Sequence, residues 1–357
     1  MKKFLAFLLT LCMVMSLVAC GSKDTEQTPD NAETPDAPEE QTISGPLVIC
    51  SSATDLDLEA IQVGFNELYP DVEIEFVTCS AGEGIARVQA EGGNPTIDVF
   101  YSGLNQADGD KYADVFEPYV SVHDSEMPEQ YRSNNGFYNY DHLSSTVLCV
   151  NTDLEKELGI EINGYADLMN PALNGKIVFS DPTSSAAWNN LSNIFAVYGN
   201  DSDEAWDVIE GLLANGMVVA GSSSACFKNV QAGEYVVGLT YEDGASTLLK
   251  NGAENIKMVY PSEGSSAFAF AAAIVKGAPH MDAAKAMIDY LQSAEGQSFR
   301  ANYVGTVRFT NEDVVVEDSY LPDSSSIKWV NRDIDWLIAN KSAMLEKWTA
   351  LYNQYNG

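Results

Sequence analysis

The sequence predicts an α/β chain of two domains, each a mainly parallel sheet flanked by helices. Three observations carry this. From Pro46 onward, short apolar runs of strand length alternate with stretches whose apolar residues recur at helical spacing. The same alternation begins afresh in the middle of the chain. The 357 residues leave roughly 310 after the first 45, room for two domains at ~100–200 residues each.

The first strand is read at residues 47–50, followed by the hydroxyl-rich Ser51-Ser52-Ala53-Thr54 and a helix marked by Leu58, Ile61, Phe65 and Leu68. Residues 72–77 form the next strand, 84–91 a helix, and 99–101 a third strand entered by Asp98. In the second set, 147–150 and 175–180 are strands, and Asp181-Pro182-Thr183-Ser184-Ser185 opens a helix over 187–198. A helix over 206–214, a strand over 217–220, a helix start at Ser222-Ser223-Ser224 and a strand over 236–240 follow, ending at Tyr241-Glu242-Asp243. A strand over 267–274 and helices over 281–292 and 334–355 finish the chain.

Two segments precede the fold. Met1-Lys2-Lys3 is positive, residues 4–18 are almost unbroken apolar, and Leu17-Val18-Ala19-Cys20-Gly21 is a small-residue junction closing on a cysteine. The run is short for a membrane span of ~20 residues. Residues 1–20 are therefore read as a lipoprotein signal with Cys20 as the lipidated residue, and the chain is expected outside the cytoplasmic membrane, held to it through lipid alone. Residues 21–45 are acidic, hydroxyl-rich and poor in large apolar side chains, so they are read as a disordered linker. Pro29, Pro35 and Pro38 stiffen it, with Pro46 directly after it.

The net charge of −33 argues against nucleic acid, polyanions and anionic lipid surfaces as partners, since each needs clustered Lys and Arg. It leaves a small anion open as ligand, because local N–H groups and hydroxyls decide that binding. Once Cys12 and Cys20 are set aside, Cys50, Cys79, Cys149 and Cys226 remain. Cys50 and Cys79 each end an apolar run, so a bridge between strand ends and unpaired buried thiols both stand as readings. No spacing resembles a zinc site, and no cofactor is expected. The chain lacks a G-x-S-x-G elbow, an H-E-x-x-H helix and a phosphate-binding G-x-x-x-x-G-K-[ST] loop, which favours a binder over a secreted phosphoester hydrolase.

The polar junctions all fall at the carboxyl ends of strands, the edge where open parallel sheets bind ligands and where helix N-termini favour anions. Any one serine ahead of a helix is ordinarily an N-cap; their convergence on one edge makes them a binding set. Trp188 and Trp206 read as core. His123, His142 and His280 read as surface or core residues, and Arg308 as either an anion partner or a structural ion pair.

From about residue 47 to 348 the chain resembles the extracytoplasmic solute-binding proteins of ABC importers, in the branch of ferric-iron, 2-aminoethylphosphonate and hexose-phosphate binders. The resemblance is carried by Ser51-Ser52-Ala53-Thr54-Asp55, by Glu91-Gly92-Gly93-Asn94-Pro95-Thr96-Ile97-Asp98-Val99, and by Asn151-Thr152-Asp153-Leu154. Leu173-Asn174-Gly175-Lys176-Ile177, running into Asp181-Pro182-Thr183-Ser184-Ser185, and the segment ending Leu345-Glu346-Lys347-Trp348 complete it. It implies a two-lobed periplasmic-binding-protein fold of type II. Residues 46–147 plus 268–357 would form lobe one and 148–267 lobe two, with crossover strands hinging near 145–150 and 267–275.

A monomer would then close on its ligand and present it to a membrane permease. On this reading Ser51, Ser52, Thr54 and Ser102 from lobe one, with Ser184, Ser185, Ser223 and Ser224 from lobe two, surround a phosphoryl or phosphonate group. Asp243 and Glu263 meet the organic part. Where iron binders of the branch have paired tyrosines, this chain has Tyr241-Glu242-Asp243, so ferric ion is the alternative ligand.

Overall fold

The computed structural model describes residues 43–356 apart from 109, 134, 182, 183, 201 and 318. The expected signal, Cys20 and the linker up to residue 42 lie outside the described residues.

The chain enters through β1 (Gly45–Ser51), α1 (Asp55–Leu68), β2 (Val72–Thr78), α2 (Ala81–Glu91) and β3 (Val99–Asn105). Thr54 starts α1 by accepting the Asp57 N–H at 3.3 Å. Ser80 and Glu83 start α2 with a reciprocal capping box. β1 pairs in parallel with both β2 and β3. The short β4 (Phe116–Glu117) and the long β5 (Asn139–Asn151) follow.

Beyond β5 lie α3 (Thr152–Leu158), β6 (Ile177–Ser180), α4 (Ser185–Tyr198), α5 (Asp203–Ala214) and β7 (Val218–Ala220). Next come α6 (Ala225–Gln231), β8 (Val237–Tyr241), α7 (Glu242–Lys250) and β9 (Ile256–Val259). β10 (Ala267–Val275), α8 (Met281–Gln292), α9 (Ala294–Val304), β11 (Arg308–Phe309) and α10 (Ile334–Asn356) complete the order.

The strands run β2-β1-β3-β10-β5-β8-β6-β7. Two parallel trios, β2-β1-β3 and β8-β6-β7, form the heart of the two lobes. The antiparallel strands include those that pass between the lobes. β5 pairs with β10 through residues 139–145 and with β8 through residues 146–150, so one strand changes sheets between Ser145 and Thr146. Thr146 N–H donates to Ser266 O at 3.0 Å, and the Ser265 hydroxyl to Thr146 O at 2.6 Å, binding the two crossings side by side.

Each sheet is covered on both faces, which is why its strands are nearly continuous apolar runs. In lobe one, Leu47, Ile49 and Ile274 point to α1 and α8, while Cys50, Ala273 and Val275 point to the other core with Ile85 and Phe116. In lobe two, Leu148, Val150, Ile177 and Phe179 pack with α4 and α5, and Val147, Cys149 and Val178 with α6. Trp188 is buried as expected, and Trp206 packs against Phe195.

Cys50 and Cys79 form a disulfide joining the ends of β1 and β2, whereas Cys149 and Cys226 are free and buried. Gly84 lets α2 lie on the bridge, since a Cβ there would stand 2.7 Å from Cys50 Sγ and 2.5 Å from Phe100.

The C-terminal helix departs from the expected lobe assignment. α10 inserts Leu337, Met344 and Trp348 into the core of lobe two, and Trp348 lies 6.4 Å from Phe179. Its route is a third crossing: Val330 N–H donates to Ser265 O, and Arg332 donates to Ser266 Oγ (2.6 Å), Thr146 Oγ1 (3.1 Å) and Asn189 O (3.0 Å). Among the described residues no helix is long and apolar enough to cross a membrane.

Candidate ligand-binding cleft

A cavity of about 330 Å³ opens where the carboxyl ends of both parallel trios face each other. Lobe one lines it with Ser52, Ala53, Thr54 and Asp57 from the start of α1 and with Tyr101 from β3. Lobe two contributes Ala186 and Asn189 of α4, Ser223 ahead of α6, and Tyr241 and Asp243 at the start of α7. His142, Ser144 and Phe270 on the crossing strands form the floor, and Val307 closes one side. The His142 ring stacks on Phe270 with centroids 5.4 Å apart.

Behind the lobe-one wall stands a buried charge network. Arg300, wholly buried on α9, donates to Asp141 Oδ2 at 2.7 Å, Asp57 Oδ1 at 3.1 Å and the Tyr101 hydroxyl at 2.6 Å. The Tyr101 hydroxyl in turn donates to Asp141 at 3.1 Å, and His142 Nδ1 meets the other Asp141 oxygen at 2.8 Å. Burial opposes ionisation of Asp141, but His142 and Arg300 outweigh it and hold its carboxyl below the usual range. Burial likewise works against a charged His142, and the Asp141 carboxylate overcomes it, raising the imidazole pKa. A single arginine thus fixes three groups whose neighbours or own atoms form the cleft wall.

Asp243 has no such cation. Burial, reinforced by Glu242 and Asp57, pushes its carboxyl up to about 6, with His142 only partly opposing. Burial also drives the Tyr241 phenol well above its ordinary value, and does the same to Tyr101 despite Arg300. Both phenols are therefore neutral at pH 7. Among the described residues no group of three His, Cys, Asp or Glu side chains is placed to hold a metal ion.

Of the residues read from the sequence, Ser52, Thr54, Ser223, Tyr241 and Asp243 meet at the cavity. Ser51 is buried beneath it, donating to Tyr101 O at 2.8 Å and accepting from Ala53 N–H at 3.1 Å, so it shapes the turn that carries Ser52. Ser102 is buried and donates to Cys79 O at 2.8 Å. Ser184 caps α4 by accepting the Ala187 N–H at 3.3 Å and touches Ser180 Oγ at 3.1 Å; the side chain of Ser185 lies outside the described residues. Ser224 sits ahead of α6, 3.4 Å from Ser222.

The two remaining carboxylates are engaged elsewhere. Glu242 points away from the cavity to Arg308 Nε at 2.7 Å and to the Tyr260 hydroxyl. Arg308 is thereby a structural ion pair. Glu263 accepts from Ala166 N–H at 2.8 Å and from Tyr198 at 3.3 Å, pinning a loop of lobe two.

Asp57, Tyr101, His142 and Asn189 were not singled out by the sequence, and His142 lines the cleft where a surface or core position was expected. Arg300 left one signal. Gln297, Arg300, Ala301 and Val304 share the buried stripe of α9, and a charge on such a stripe calls for a buried partner.

Comparisons with known proteins agree with this architecture. Residues 51–298 match the family described as bacterial extracellular solute-binding protein. An uncharacterised protein of Haemophilus influenzae is 29% identical over 315 residues, spanning 85% of this chain and 90% of its own. Two relatives are 24% identical. One is a probable ABC transporter periplasmic-binding protein of Sinorhizobium fredii, matched over 270 residues and 74% of each chain. The other is iron uptake protein A1 of Synechocystis, matched over 261 residues, 66% of this chain and 70% of its own.

Among solved structures, the periplasmic binding protein AfuA from Actinobacillus pleuropneumoniae, with fructose-6-phosphate bound, superposes with a TM-score of 0.72 at 26% identity. The match covers 87% of this chain and 99% of AfuA. A family match over residues 51–298, two lobes sharing crossing strands and a polar cavity at their facing edges lead to one conclusion: the chain belongs to the bacterial extracellular solute-binding proteins.

Proposed function

We propose that this solute-binding protein of an ABC importer captures a small organic molecule carrying a phosphoryl or phosphonate group and hands it to its cognate permease without turnover. The polarity of the cleft carries the reading. Three helices of at least nine residues start at it, but α1 and α7 carry acids in their first turns, Asp55 and Asp57, and Glu242 and Asp243, whereas α4 carries none. An anionic head is therefore best placed at the start of α4 with the hydroxyls of Ser52, Thr54 and Ser223. Asp57 and Asp243 then meet a donor-rich or ammonium-bearing remainder. The cavity of about 330 Å³ falls in the ~300–1,000 Å³ range of small-molecule sites, so a bare ion would leave much of it empty. Cys20 as lipid anchor belongs to the same proposal.

Ferric ion is the second reading, favoured by the iron uptake relative. Calorimetric titration with fructose 6-phosphate, 2-aminoethylphosphonate and ferric citrate separates the two. We expect saturable one-to-one binding of a phosphorus-bearing ligand. Ser52→Ala and Ser223→Ala should weaken every such ligand alike, by ~0.5–1.5 kcal/mol per neutral hydrogen bond, while Asp243→Ala reorders preference among them. A coloured ferric complex lost in Tyr241→Phe, with no response to either phosphorus ligand, would replace this reading by iron.

A further inference from the structure

The turn that brings Ser52, Ala53 and Thr54 to the cavity leaves the end of β1, and the strand beside it is the outermost of the sheet. β2 pairs with β1 alone, and Glu73, Glu75 and Thr78 along it are exposed. An edge strand is held from one side only, and its end is where fraying starts.

The residue just past that end carries the turn. Cys79 N–H donates to Ser51 O at 3.0 Å, and Cys79 O accepts from the Ser102 hydroxyl at 2.8 Å, so Cys79 spans from β1 to β3. The Ser51 hydroxyl in turn donates to Tyr101 O at 2.8 Å and accepts from Ala53 N–H at 3.1 Å. The bonds of Cys79 thus end on Ser51 and Ser102, the chain neighbours of the lining residues Ser52 and Tyr101. One covalent link fixes Cys79 in this place: its bridge to Cys50, the residue before Ser51. Cys50 is wholly buried in a cluster with Ile85 and Phe100 and gives the bridge a firm footing.

We propose that the Cys50–Cys79 disulfide is a positioning element of the ligand site: it holds the Ser51–Thr54 turn against β3, so that ligand affinity depends on it. This rests on the cavity being the ligand site proposed above. A bridge that served only as a staple would, when lost, lower stability and leave the turn as it is. A positioning bridge, when lost, frees the end of β2, releases Ser51 O and loosens the turn, while Ile49, paired with both β2 and β3, stays in place.

The test compares the full chain with its Cys50→Ala/Cys79→Ala variant. Leu212→Ala serves as a control, a buried residue of α5, an element absent from the cavity wall. Hydrogen exchange of the ligand-free proteins should be about tenfold faster across residues 51–57 and 78–80 in the double variant, and unchanged there in the control. Calorimetric titration with fructose 6-phosphate and with 2-aminoethylphosphonate should show affinity reduced by roughly fivefold, the equivalent of one neutral hydrogen bond, in the double variant alone. Unchanged exchange across residues 51–57 overturns the proposal, and so does unchanged affinity for a compound that the wild type binds. If the wild type binds neither compound, the phosphorus reading of the cleft fails by itself, and exchange at the turn alone upholds or overturns the role of the bridge. Should the double variant not fold, the folded wild type reduced with a phosphine takes its place, with Cys50 and Cys79 confirmed as maleimide adducts. Global unfolding on that reduction would make the bridge a staple of the whole fold and overturn the proposal.

Discussion

Replacing Asp243 by Asn should make the empty protein more stable. In the fold this carboxyl titrates near 6, against an ordinary value of 3.8, because burial disfavours its charged form and Glu242 and Asp57 add to the effect. A folded pKa above the unfolded one means that the native state holds the proton more tightly. The stabilisation is complete below about pH 3.8 and is lost as pH rises through about 6.

At ~1.4 kcal/mol for each pH unit between the two values, the ionised group costs at most about 3 kcal/mol at neutral pH. Solvent reaching the cleft wall reduces this to about 1–2 kcal/mol. Urea unfolding of the ligand-free wild type and of Asp243→Asn at pH 4, 5, 6 and 7.5 measures it. The variant should gain about 1–2 kcal/mol at pH 7.5 and nothing at pH 4, while losing discrimination among ligands. A gap of the same size at every pH, or a variant less stable at pH 7.5, would refute the assignment of an uncompensated carboxylate to the cleft.

Arg300→Met should cost about 3–5 kcal/mol in urea unfolding at pH 7, because it strands Asp141 and Asp57 beside each other without their cation; a loss under about 1 kcal/mol would show the network to be solvated. Glu242→Gln should lower stability by about 1–3 kcal/mol, since Arg308 keeps its charge in a largely buried site and loses its counter-ion. Ligand rank order should stay unchanged in that variant, and a reordering by titration would mean that Glu242 reaches the ligand.

The alternation of elements was legible because each sheet is buried on both faces, leaving unbroken apolar runs such as residues 147–150 and 267–274. α7 was not legible. Its start reads as the end of a strand, and Tyr241-Glu242-Asp243 therefore reads as one ligand-facing patch. In a helix, successive side chains point about 100° apart, so Asp243 faces the cavity while Glu242 turns to Arg308. Glu263 sits in a loop whose position depends on Ala166 and Tyr198, contacts no local pattern encodes. The Arg300 network joins residues 243 and 159 positions apart, beyond the reach of periodicity. Ser51 and Ser102 were found as hydroxyls at the right strand ends, but strand alternation turned both inward.

The return of the chain from lobe one to α10 has a mechanical meaning. A pair of covalent links between two bodies permits both bending and twisting. Here a third segment, residues 328–332, is laced to Ser265, Ser266 and Thr146 beside the other two. Sliding any one of these segments past the others would have to break several of these bonds at once. The three segments are thereby held as one seam rather than as three separate strands.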